Sequence, residues 1–203
     1  MRGLLALSRF IDEINTRVGR VVSWLILIVV VISSINAVFR KAFDMSSNAW
    51  LELQWYLFGA IFLLAAGYTL TRNGHVRVDI FSSRLSHRGQ AIIDIIGVLC
   101  FLLPVTIVVL WLSVPMVVES YQHHEVSSNS GGLIRWPVKT LIPLGFALLL
   151  GAAVSHLIKC VGFLAGRCPS PHRLEGHKTS EETLADEIAA EANTNMQNEA
   201  EGR

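Results

Sequence analysis

The sequence predicts an all-α, polytopic membrane protein with four transmembrane helices, an N-terminal amphipathic arm helix and both termini in the cytoplasm. Three observations carry this. Of 203 residues, 52% are hydrophobic and 16% charged, against roughly 25% charged in soluble domains, and the mean hydropathy is +0.47. The 17 basic and 16 acidic residues are unevenly spread, because residues 21–39, 49–71, 91–118 and 141–158 contain only Glu52 and Asp94 between them. Each stretch reaches or approaches the roughly 20 apolar residues that cross a hydrocarbon core of about 30 Å as a helix. None alternates with the period of two that a barrel strand requires, and in lipid only helices and closed barrels satisfy every backbone polar group. A soluble enzyme, a collagenous chain and a secreted disulfide scaffold are excluded.

Residues 1–17 form the arm. Leu4, Leu7, Ile11, Ile14 and Val18 recur at spacings of three and four, with Arg9, Asp12, Glu13, Asn15 and Arg17 on the other sides. This is the pattern of an amphipathic helix lying in the cytoplasmic interface. Arg2 precedes only a short apolar stretch and no small-residue cleavage site follows before Arg9, so a cleaved signal peptide is not expected. The first span covers residues 18–39, an outer loop 40–48 and the second span 49–70. A cytoplasmic loop, 71–90, leads to the third span, 91–118. At about 42 Å that span is too long to cross upright. Pro104, which removes a backbone donor at mid-helix, is its kink candidate, and Pro115 is placed to bend or end it. An outer loop, 119–140, precedes the fourth span, 141–162, with Pro143 expected in its first turn, where a missing N–H matters little.

Orientation follows from the basic residues. The arm and its junction carry Arg2, Arg9, Arg17 and Arg20; loop 71–90 carries Arg72, Arg77, Arg84 and Arg88; the region after span four has Lys159, Arg167, Arg173 and Lys178. Arg40 and Lys41 in one outer loop, and Arg135 and Lys139 in the other, are fewer, which favours cytoplasmic termini. Trp50 and Trp136 then sit at the outer headgroup level. Residues 163–203 close the chain as a tail. From Leu174 onward it has eight acids against Lys178 and Arg203, too few large apolar residues to fold alone, and is read as a disordered cytoplasmic segment.

Little in the spans suits chemistry. Glu52, Gln54, Asp94 and Asn36 are all shallow, so an interfacial position suffices for them, with pairing to a neighbouring subunit as the alternative for Glu52 and Asp94. No phosphate loop or nucleophile elbow is present. His156 is the single histidine in a span, whereas a haem subunit needs axial ligands there. His156, Cys160, Cys168 and His172 read H-x3-C-x7-C-x3-H, but His156 lies on an apolar helix while His172 follows Pro169 and Pro171, so no metal site is expected. No enzyme activity, catalytic residue or cofactor is expected. The spans do offer packing surface: Ala147, Gly151 and Ser155 form a small-xxx-small face in span four, and Gly59 and Gly67 share a side of span two. Packing within the four helices and packing on a larger partner both explain such faces.

Several short motifs point further. The cytoplasmic loop reads Arg72-Asn73-Gly74-His75-Val76-Arg77-Val78-Asp79, after a span opening Trp50-Leu51-Glu52-Leu53. The outer loop ends Ile134-Arg135-Trp136-Pro137, and span four opens Ile142-Pro143-Leu144-Gly145-Phe146. Together with four spans, residues 18–166 resemble the small membrane subunit, DctQ type, of the tripartite ATP-independent periplasmic (TRAP) transporters. The resemblance implies a multi-pass protein of the bacterial cell inner membrane. It would scaffold a large multi-spanning subunit that imports an organic acid on a sodium gradient, delivered by a periplasmic solute-binding protein. Membrane lipids are its other neighbours and nucleic acid is not a partner. The alternative is the membrane anchor of a haem- or quinone-linked redox enzyme. The structural or partner-interface candidates are Trp50, Glu52, Arg72, Gly74, His75, Arg77, Asp79, Asp94, Arg135, Trp136, Pro137, Pro143, Gly145, Ala147, Gly151 and Ser155. In the 74–79 run, Gly74 permits a turn, Arg72 and Arg77 suit anionic headgroups, and Asp79 suits an arginine partner or a helix cap.

Overall fold

The computed structural model describes residues 2–43, 47–72 and 87–166. The described residues are almost entirely helical: α1 is Arg2–Phe43, α2 Asn48–Thr71, α3 His87–Gly97, α4 Leu103–Gln122 and α5 Trp136–Leu164, with a π-helical turn at Val98–Leu102 joining α3 to α4. Four helical stretches, Gly3–Phe43, Asn48–Thr71, Arg88–Gln122 and Trp136–Leu164, are long and apolar enough to cross a membrane. Gly74, His75, Arg77 and Asp79 lie outside the described residues, as does the tail from residue 167 with Cys168 and His172.

Residues 1–17 and 18–39, expected as arm and span, are joined without a break in the 42 residues of α1, about 63 Å at 1.5 Å per residue. Its sides are distributed the opposite way from a water-soluble amphipathic helix. Ser8, Asn15, Val22 and Val29 are buried, a strict seven-residue repeat that keeps one seam facing its neighbours. Leu4, Leu7, Ile14 and Trp24 face outward. The rest of the molecule follows the same rule. Trp55, Phe62 and Trp111 are each more than three-quarters exposed, whereas the largest fully buried side chains are Asn15, Thr106, Cys160, Ser8 and Ser155. Lipid chains are as apolar as leucine, so burying large apolar groups between helices gains little; small residues and hydrogen bonds hold the helices instead.

α5 packs against all the other helices, and α1 and α2 pack closely on each other. α1 runs antiparallel to α2: Ser33 donates to Gln54 Oε1 at 2.8 Å, while Asn15 sits beside Gly67. α2 and α5 run in the same direction, and their backbones nearly touch at Gly145, where an added Cβ would lie 2.7 Å from the Leu63 carbonyl oxygen. Glycine is required there because no side chain fits.

The long third span is accommodated at the π-helical turn. Buried residues along α3, the π-helical turn and α4 are Ala91, Val98, Thr106, Ser113 and Ser120, spaced by seven except for the step of eight across Val98–Thr106. A π-helical turn inserts one extra residue into a helix, so it absorbs the odd residue and keeps the stripe on α5. Pro104 follows immediately, where it cannot donate to the Cys100 carbonyl, and the Thr106 hydroxyl donates to Leu102 O at 2.6 Å. Pro115 lies within α4 without breaking it.

Span four begins earlier than the expected residue 141. α5 starts at Trp136, so Pro137 occupies the first turn, and Pro143 lies inside the helix. The reason is local: the N–H missing from Pro137 is one that a first turn leaves without an intrahelical partner anyway, whereas the hydrophobic run that set the expected boundary starts one turn later.

Candidate functional site

Polar and ionisable groups between the described helices gather at two ends of the bundle, and each end is built by α5 and its neighbours. At the first end the chain 123–135 folds back between α4 and α5. His124 takes a positive φ of 46° and Gly131 one of 72°, and Val126 and Ile134 form an antiparallel bridge. The Arg135 amide donates to the Glu125 carbonyl at 2.9 Å. Glu52, in the second turn of α2, clamps this loop: its carboxylate accepts the Leu133 amide at 2.7 Å, the Asn129 side-chain amide at 2.8 Å and the Ser127 hydroxyl. Asn48 adds a bond to Ser130 O at 3.0 Å. Glu52 is thus engaged within this chain.

Glu125 forms ion pairs with Lys139 and, at 3.9 Å, with Arg135. Trp136 packs edge-on against Tyr121, with centroids 5.5 Å apart, and Trp50 is exposed. An open cleft of about 510 Å³ lies beside Glu52, Trp55, Tyr56, Asn129 and Arg135. The Lys139 ammonium, reinforced by Arg135, holds the Glu125 carboxyl below its ordinary value of 4.5. A depressed carboxylate contributes stability that is complete above its unfolded pKa and lost as pH falls through the folded one. Glu125→Gln should therefore melt at a lower temperature than the unmodified chain above about pH 5, and the gap should narrow as the pH falls below the ordinary carboxylate range. A gap independent of pH would show that the charge of Glu125 does not matter to the loop.

At the opposite end, two pairs of α5 residues four apart stack along its surface, as i and i+4 positions do. Ser155 and Lys159 face α1. The Ser155 hydroxyl lies 2.7 Å from that of Ser8 and donates to Asp12 Oδ1 at 2.6 Å, while Lys159 pairs with Asp12. His156 and Cys160 face α3: His156 Nε2 is 3.2 Å from Asp94 Oδ2 and 3.5 Å from Cys160 Sγ. His156 and Cys160 are buried, and the side chain of Asp94 is 16% exposed. The three donor atoms of Asp94, His156 and Cys160 lie within 4.8 Å of one another.

The small-residue face of α5 divides. Gly151 meets Ile11, whose Cγ2 would lie 3.3 Å from an added Cβ, and Ser155 meets Ser8, so both are covered by α1, whereas Ala147 is exposed. Gly59 has open space around it while Gly67 is wedged against Asn15 and Leu148; the two do not serve one contact. Arg72 caps α2, with its guanidinium 5.6 Å from the Tyr68 ring. Sequence reasoning did not find Ser8, Asp12 and Asn15, because a polar side of an arm helix reads as its wet side. The signal available was the seven-residue spacing of Ser8, Asn15, Val22 and Val29.

Comparison with known families gives a match. The model of the DctQ component of tripartite ATP-independent periplasmic transporters covers residues 29–162, from the second half of α1 almost to the end of α5. No curated protein and no solved structure matches the chain.

Proposed function

Because this chain belongs to the DctQ family, the small membrane component of TRAP transporters, we propose that it scaffolds a large multi-spanning subunit in a sodium-coupled importer of organic acids. In this reading a periplasmic binding protein delivers the solute, the complex resides in the bacterial inner membrane, and both termini face the cytoplasm. The loop 123–135 and its Glu52 clamp are then periplasmic, and the Asp12–Lys159 and Asp94–His156–Cys160 clusters lie near the cytoplasmic surface.

One observation supports a bracing role most strongly. Among the described residues, charged side chains paired between helices occur at the two ends; between them the helices meet through Gly145 against Leu63, through Ala152 and Ala153, and through uncharged polar groups such as the Ser33–Gln54 hydrogen bond. The hydroxyls of Thr106 and Ser113 are spent on their own helix, donating to Leu102 O and Leu110 O. A pathway for an ion or a carboxylate needs polar or ionisable groups near mid-membrane. Packing of this kind suits a rigid rib beside a moving partner. The partner would meet the outward-facing aromatic side chains of α1 and α2, Trp24, Trp55, Phe58 and Phe62, or of α4.

The test is recovery of the tagged chain in mild detergent from cells that also express the large subunit. The expected result is a stable complex with a polytopic partner in fixed ratio. Recovery of the chain by itself, with the partner left in the flow-through, would contradict the proposal.

A further inference from the structure

We propose that Asp94, His156 and Cys160 form a zinc-type divalent metal site that fastens α3 to α5. The proposal rests on these three side chains and is independent of the transport reading above.

The donor set is the first reason. Carboxylate oxygen, imidazole nitrogen and thiolate sulfur are all zinc ligands, and three protein ligands with a fourth position for water is a common zinc arrangement. The thiolate also disfavours magnesium and calcium, which take oxygen ligands. Geometry is the second. Bonds of about 2.0–2.1 Å to nitrogen, 2.0–2.2 Å to oxygen and 2.3 Å to sulfur, at tetrahedral angles, place nitrogen about 3.3 Å from oxygen and about 3.6 Å from sulfur. Two of the three edges match, 3.2 Å from His156 Nε2 to Asp94 Oδ2 and 3.5 Å to Cys160 Sγ; the third, between Asp94 and Cys160, is within 4.8 Å against about 3.6 Å in a closed tetrahedron, so the Asp94 carboxylate would turn toward Cys160 on binding.

Proton accounting is the third reason. A neutral imidazole nitrogen carries either one hydrogen or one lone pair, yet both neighbours converge on the same Nε2. A protonated Nε2 serves only Asp94 and an unprotonated one serves only the Cys160 thiol, whereas a metal ion bound by Nε2 would take both neighbours as ligands. The i, i+4 spacing of His156 and Cys160 on α5 supplies two ligands from one rigid face. Asp94, one turn into the third span, supplies the link to another helix.

The site has a structural consequence. α3 is connected to the rest of the described bundle chiefly through α5 and the π-helical turn, so a metal here holds the start of the third span to the end of the fourth.

The test is a titration of the full-length chain in detergent, without a histidine tag, with cobalt(II) as the spectroscopic substitute for zinc. The expected result is one equivalent bound, with a thiolate-to-cobalt charge-transfer band and tetrahedral visible bands that zinc abolishes. Cys160→Ser should remove the charge-transfer band, and His156→Gln and Asp94→Asn should weaken binding by more than the roughly 10–100-fold lost with a ligand's hydrogen-bond partner. Cys100→Ser, at an exposed position, should change nothing. A second measurement needs no variant: zinc should protect Cys160, and not Cys100, from alkylation as mapped by mass spectrometry. Absence of the thiolate band at equimolar cobalt, its persistence in Cys160→Ser, or zinc protection that falls on another cysteine would each overturn the proposal.

Discussion

Gly145→Leu is expected to lose most of its folded yield in detergent, with a melting transition lowered by the equivalent of about 3 kcal/mol, the upper end of the range for overpacking. The cause is geometric. An added Cβ would lie 2.7 Å from the Leu63 carbonyl oxygen and 2.8 Å from its Cβ, and a backbone carbonyl in the middle of α2 cannot swing aside. The only relief is separation of α2 from α5. Because α5 also carries the contacts to α1, α3 and α4, the disturbance reaches every helix. Gly151→Leu should do less, since its obstruction is the end of the Ile11 side chain at 3.3 Å, and the loss should be confined to the contact with the first turns of α1. Gly59→Leu is the control, with nothing within 4 Å of an added Cβ, and should melt like the unmodified chain. Circular dichroism and size-exclusion profiles of the three variants decide this. Equal stability of Gly145→Leu and Gly59→Leu would mean that α2 and α5 do not approach as described.

The number of spans and their helical nature were legible because lipid imposes a length and a charge limit that composition records directly. Which side of each helix faces its neighbours was less so. In the arm, Leu4, Leu7 and Ile14 marked a face correctly, but the hydrophobic rule from soluble proteins assigns that face to packing or to an interface and gives the polar side to water. In α1 the packed side takes residues from both: Ser8 and Asp12 bond to α5 and Ile11 meets Gly151, while Arg9, Glu13 and Arg17 stay exposed. The seven-residue spacing of Ser8, Asn15, Val22 and Val29 was present throughout.

The ends of the spans show the same division. Pro104 marked the irregularity in the third span, yet the insertion of one residue becomes visible only when Val98 and Thr106 are seen to face the same helix. Glu52 and Asp94 stood out as the two charges in apolar stretches. Their partners did not, because Leu133 and His156 are 81 and 62 residues away, and one sequence contains no record of such pairings. The H-x3-C pair was noticed as part of a longer pattern with Cys168 and His172. Asp94 as its third member is a product of the tertiary fold. Family membership was legible from short motifs: the 74–79 run on which the resemblance leaned most, and the weaker Arg-Trp-Pro and Pro-Leu-Gly-Phe pieces, all lie inside the matched segment 29–162, and the last two start α5 and place Gly145 against α2.

The claim on which the functional account depends is that this chain braces a transporter and conducts nothing itself. Its most direct test is solute uptake into proteoliposomes under an inward sodium gradient, comparing the small and large subunits together with each subunit reconstituted singly, all with the binding protein present. The account predicts uptake from the pair, at least about tenfold above either subunit by itself, which corresponds to a loss of roughly 1.4 kcal/mol or more in effective transition-state stabilisation. Full uptake by the large subunit without this chain, or passage of solute or sodium through vesicles holding this chain only, would contradict it.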